Sequence, residues 1–174
     1  RRGQGPRAPE GAGRGKSIGE CGSAVPPIAE GYGAHGAHAA RTVTARNPRW
    51  RQKPVTVFYP SGGSGRYPVV FFSHGYGATD PGTYSYFIDH IVSRGAVVVY
   101  APYKTLVLGA GGKGLPRRSR DDAPASGRRD PFKERYDILW AGFEAAVEQH
   151  GALMDLSRVG FVGHSFGGGP TPPM

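Results

Sequence analysis

The chain has 174 residues, 38% of them apolar and 11% aromatic, which is enough for one domain with a core and too few for two. Its net charge of +9 is uneven: residues 1–53 hold ten Lys and Arg against three acids, and residues 54–174 hold twelve against ten. No apolar run reaches the roughly 20 residues of a membrane span, the basic start lacks the apolar middle of a signal peptide, and the lone Cys21 excludes an internal disulfide.

Taken in order, residues 1–22 (RRGQGPRAPEGAGRGKSIGECG) show no apolar periodicity and are expected to form a disordered basic arm, with a linker over 23–40. Gly15-Lys16-Ser17 mimics the end of a phosphate-binding loop, but Glu10 stands where its first glycine belongs and no strand precedes it. The arm has no interleaved aromatics before Tyr32 and Trp50, so no stacking platform and no nucleic-acid partner are expected. Arg1 is not an initiating methionine, so a leader ahead of it stays open and localisation is not assigned. His35 and His38 form H-x-x-H without further ligands, and no metal or organic cofactor is expected.

From residue 41 the texture changes. RTVTAR and PVTVFYP alternate as strands do, with a flexible turn PSGGSG over 60–65. YPVVFFSHG is a continuous apolar run, as expected for a strand buried on both faces. Asp80-Pro81 opens a helix, the acid as N-cap and the proline at the first helical position. Its stripe is Tyr84, Phe87, Ile88, Ile91 and Val92, and Gly95 closes it. AVVVYAP is the next buried strand. Residues 107–130 contain a formal G-x-G-x-x-G (109–114) without a helix behind it, and are expected to be a disordered insertion rather than a dinucleotide loop. A second helix over about 133–150 presents Tyr136, Leu139, Trp140, Phe143 and Val147, Gly151 caps it, and RVGFVGH is the last strand. Strands alternating with amphipathic helices predict an α/β domain over 41–174 with a mostly parallel sheet and flanking helices.

Gly163-His164-Ser165-Phe166-Gly167 fits G-x-S-x-G directly after a strand. The turn forces the serine into a strained backbone conformation, and side chains two positions to either side would collide, so glycines are needed there. Ser165 is therefore the candidate nucleophile. His164 is its neighbour in sequence; adjacent side chains diverge on such a turn, so it is expected to pack under the elbow rather than act as base. Acyl transfer also needs two N–H donors for the oxyanion. One is expected at Phe166 and the other at Tyr76, which glycines flank in the loop after the third strand and whose ring either lines an acyl pocket or packs.

Together PVVFFSHGYGATD, AVVVYAPY, ERYDILWAGFEAAV and RVGFVGHSFGGG resemble the first half of an α/β-hydrolase. The branch is that of dienelactone hydrolases, cutinase-like polyester hydrolases and platelet-activating-factor acetylhydrolase-like esterases. The resemblance implies a serine carboxylester hydrolase acting through an acyl-enzyme on a small-molecule or lipid-like ester. It also implies the chain order nucleophile, acid, histidine, yet no Asp, Glu or His follows Ser165. Upstream candidates have plainer readings: Asp137 and Glu144 on a helix's polar face, Asp155 capping a turn, His90 and His150 on helix surfaces or ends. The expectation is a fold truncated after the elbow, inactive as written and prone to associate through an exposed apolar edge. The alternative is a non-catalytic binding or structural module that keeps the fold.

Overall fold

In a computed structural model, residues 30–63, 65–105 and 131–169 are described. The basic arm, Cys21, the 107–130 insertion and the prolines at 170, 172 and 173 lie outside the described residues. Five strands form one mixed sheet in the order β1-β2-β4-β3-β5. β1 (Ala40–Ala45) and β2 (Val55–Pro60) pair antiparallel, with Ala40 opposite Pro60 and Ala45 opposite Val55. β2 is also antiparallel to β4 (Val97–Tyr100), whereas β3 (Tyr67–Ser73) is parallel both to β4 and to β5 (Met154–Gly163). β2 thus runs against the other four.

The crossover helices cover opposite faces, as right-handed βαβ units require. α1 (Ser85–Ser93) joins β3 to β4, and α2 (Pro131–His150) joins β4 to β5. Strand alternation sorts the core into two layers. Val69, Phe71, Val97 and Val99 pack toward Ile138, Leu139, Phe143 and Ala146 of α2. Phe72, Val98 and Tyr100 pack toward Ile88 and Val92 of α1. Burying each such side chain is worth about 1.5–3 kcal/mol relative to leaving it in water.

Asp80 opens the α1 segment as expected: its Oδ1 accepts from the Gly82 N–H at 2.8 Å and Pro81 follows. The first turn, Pro81–Tyr84, is 3-10, and only then does the α-helix begin. Ile88 and Val92 are the buried centre of its stripe, while Phe87 stays 42% exposed at the rim. The 30–39 stretch lies against the end of this helix, with Gly36 N–H donating to Ser93 Oγ at 2.9 Å and His38 N–H to Ser93 O at 3.1 Å.

α2 corrects the expected apolar face. Leu139 and Phe143 are buried, but Tyr136 and Trp140 are 42% and 46% exposed. The buried face instead centres on Arg135, Ile138, Gly142 and Ala146, turned by about one position. Gly142 sets this approach: a Cβ there would stand 2.8 Å from Ala101 Cβ and 3.2 Å from Val55 Cγ2. Asn47, fully buried after β1, locks the contact by donating from Nδ2 to the Ile138 carbonyl at 2.9 Å, while its Oδ1 accepts from Arg49 N–H at 2.9 Å.

β5 begins earlier than expected and is irregular. Asp155 pairs with Pro68 but Val159 pairs with Val69, so residues 156–158 are extra on the β5 side. Asp155 holds this bulge, accepting from Ser157 N–H at 3.0 Å, Ser157 Oγ at 2.6 Å and Arg158 Nε at 2.6 Å. Those bonds, Ser157 first, hold its carboxyl at about 2.

Candidate active site

β3, β4 and β5 point the same way, and their C-terminal ends bring three loops together, where open α/β sheets place ligand sites. After β5 the chain breaks into a 3-10 turn, Ser165–Gly168. Ser165 has φ 52°, and among the described residues it is the only non-glycine in the left-handed region. Such a backbone costs on the order of 1–3 kcal/mol and persists only where the surroundings enforce it.

The enforcement comes from the two glycines of the motif. A Cβ on Gly163 would collide with the Gly167 carbonyl oxygen and stand 2.7 Å from Gly168 Cα. A Cβ on Gly167 would collide with the Ser73 carbonyl and stand 2.6 Å from the His74 carbonyl. The elbow is therefore pressed backbone to backbone against the end of β3. His164 N–H donates to Ser73 O at 3.1 Å and Gly167 N–H to His164 O at 2.8 Å, which closes the turn.

Tyr76 stands in the loop after β3, followed by Gly77 at φ 72°. Its ring is half-exposed and edge-on to Phe166, centroids 6.3 Å apart. Phe166 in turn lies parallel to Tyr103 at 6.5 Å and carries the Arg135 guanidinium 4.9 Å above its ring. The two expected oxyanion donors thus belong to adjoining segments. The loop is held from below: Gly77 N–H donates to Thr105 Oγ1 at 3.1 Å, and the Tyr100 hydroxyl donates to the Ala78 carbonyl.

His74, which the sequence marks only as the end of a strand, is fully buried beneath this loop. A carbonyl only accepts, so His74 Nδ1–H donates to Gly75 O at 2.7 Å, leaving Nε2 to accept from Tyr103 N–H at 3.1 Å. Tyr103 returns a bond from its hydroxyl to His74 O at 2.6 Å, and the two rings stack at 4.3 Å. Burial lowers the His74 pKa against the smaller raising effect of its two backbone bonds, so the ring is neutral and its tautomer fixed. Burial, then the neighbouring Tyr84 phenol, pushes Tyr100 and Tyr103 well above the ordinary tyrosine range.

His164 is a second correction. It does not pack under the elbow but is exposed beside it, with Nδ1 2.9 Å from the Tyr84 hydroxyl and its ring edge-on to Tyr84. The other described histidines are also engaged elsewhere. His38 Nδ1 meets Ser61 O at 3.1 Å, His150 Nε2 meets Thr44 O at 2.9 Å, and His35 stands edge-on to His90. Among the described residues no histidine ring is bonded to the Ser165 hydroxyl, and no group of three or more His, Cys, Asp or Glu could hold a metal. No helix of the described residues is long and apolar enough to cross a membrane.

The chlorophyllase family model matches residues 31–171. No curated protein matches the chain. Among solved structures, the chain is similar to a thermostable esterase from Pseudomonas putida, at 23% identity and a TM-score of 0.50, over 77% of this chain and 36% of that one. A variant of the esterase rPPE matches with the same identity, TM-score and coverage. These likenesses show an α/β-hydrolase fold, of which the chain spans about a third of the esterases' length.

Proposed function

Because the chain belongs to the chlorophyllase family, we propose that it carries the nucleophile half of a serine carboxylester hydrolase acting on a small-molecule or lipid-like ester. The observation that carries this reading is Ser165 at φ 52° on a turn where Gly163 and Gly167 admit no side chain. A plain glycine-rich turn has no need to strain a serine.

In the proposed reaction the Ser165 oxygen attacks the ester carbonyl carbon while a base takes its proton. The carbonyl oxygen becomes an oxyanion, received by the backbone N–H groups of Tyr76 and Phe166. The tetrahedral intermediate collapses, the alcohol leaves with the proton, and water then releases the acid from the acyl-serine. Base and acid are assigned to the share of the esterase fold beyond the part matched here. General-base assistance is typically worth about 10²–10⁴ in rate, and among the described residues no histidine ring is bonded to the Ser165 hydroxyl. The 174 residues alone are accordingly expected to hydrolyse a short p-nitrophenyl ester no faster than their Ser165→Ala variant.

Fluorophosphonate labelling of the whole protein tests the reading. Adduct on Ser165, lost in Ser165→Ala, supports it. A folded whole protein that takes no label would instead be the non-catalytic module.

A further inference from the structure

One phenol joins the elbow to the loop after β3. Gly75 N–H donates to the Tyr84 hydroxyl at 2.8 Å, and the same oxygen lies 2.9 Å from His164 Nδ1. Gly75 directly precedes Tyr76, and His164 directly precedes Ser165. The three groups are in closest contact: a Cβ on Gly75 would stand 2.8 Å from His164 Nδ1 and 3.1 Å from the Tyr84 oxygen. Tyr84 itself is fixed from the core side by Phe72, 4.7 Å between centroids, and Tyr100 at 6.0 Å.

Proton accounting orders this link. The Tyr84 oxygen has one proton, and an amide N–H only donates. Gly75 N–H occupies one lone pair of the oxygen; the arrangement that spends the phenol proton within the link sends it to a bare His164 Nδ1, with the imidazole's own proton on Nε2. This is the opposite tautomer to buried His74, whose Nδ1 bears the proton.

We propose that Tyr84 is a positioning residue whose hydroxyl, accepting from Gly75 N–H and donating to His164 Nδ1, fixes the spacing between the Ser165 elbow and the Tyr76 loop. The spacing it sets is that between the Tyr76 and Phe166 amides, so its catalytic meaning rests on the hydrolase reading; the link itself does not. Removing the hydroxyl leaves the aromatic packing and the backbone contacts of the elbow in place but takes away the side-chain bond to each of the two segments.

The test is nitrogen-15 NMR of the full 174-residue chain with labelled histidines, His164 being assigned by its loss in His164→Asn. His164 is expected as the neutral Nε2–H tautomer, and the Gly75 amide as protected from exchange. Tyr84→Phe should redistribute the tautomer and speed Gly75 exchange at least 10-fold. An Nδ1–H tautomer in the unmodified chain overturns the proposal, a result that needs no variant to fold. Gly75 exchange unchanged in a folded Tyr84→Phe chain also overturns it. In the whole protein, Tyr84→Phe should slow fluorophosphonate labelling of Ser165 about 10-fold with unchanged saturation concentration. Absence of labelling in the parent protein would sink the hydrolase reading while leaving the NMR result to decide the link.

Discussion

β4 and β5 both pair in parallel with β3, and they differ in what covers them. β4 lies between β2 and β3 with a helix over each face, and all four of its residues are fully buried. β5 pairs with β3 alone among the described residues, leaving Leu156 and Val159 49% and 38% exposed. Met154 anchors the start of β5 in the core, and at its other end the strand meets the elbow through residues with no side chains, Gly163 and then Gly167. β4 stabilises the domain through what its side chains fill. β5 leads into the candidate site through the space that Gly163 leaves empty.

Substitutions can break that contrast. Tyr100→Ala removes ring contacts to Phe72, His74 and Tyr84 and the bond to the Ala78 carbonyl, and should cost about 3–5 kcal/mol in urea unfolding. A cost near that of a β5 surface change would dissolve the distinction. Gly167→Ala forces a methyl into the Ser73 and His74 carbonyls and should cost about 1–3 kcal/mol while abolishing Ser165 labelling in the whole protein. Retained labelling would mean the elbow tolerates a side chain after all.

A pH titration sharpens the same contrast from beneath the loop. His74 has a folded pKa below its ordinary 6.5, so below pH 6.5 the unfolded chain takes up a proton that the folded chain refuses. The stability from this group is complete above pH 6.5 and falls as pH drops below it, by at most about 1.4 kcal/mol per pH unit. Unfolding free energies between pH 7.5 and 5, read beside the His74 ring shifts, check this; a flat profile with a titrating ring would refute it. Val159→Ala, on the open side of β5, should stay within about 0.5 kcal/mol in the same unfolding assay.

The fold was legible because period-2 and period-3.6 patterns report burial directly, and the Asp80-Pro81 start and the G-x-S-x-G turn report backbone geometry. What escaped the reading had other causes. The buried face of α2 departs from the expected one because a close approach to the sheet is made by Gly142, which a pattern of large apolar residues does not mark. Tyr84 read as one more apolar position on a stripe, yet its hydroxyl makes the long-range bonds to Gly75 and His164. His74, Tyr103 and Asn47 act through hydrogen bonds to residues between 29 and 91 positions away, and no local pattern marks such pairings.

The three extra residues of the β5 bulge have a consequence for the phase of the strand. Met154 and Phe161 are seven positions apart, an odd interval that in an unbroken strand would aim them at opposite faces. Both nevertheless belong to the α2 side, because opposite β3 the interval is the four steps from Tyr67 to Phe71. An odd insertion inverts the alternation once, and the strand downstream inherits the inversion: Phe161 turns inward beneath Trp140 and Val162 faces the other layer. Leu156, Ser157 and Arg158 thus set the parity of the strand, and for the facing of Phe161 and Val162 their number matters more than their chemistry.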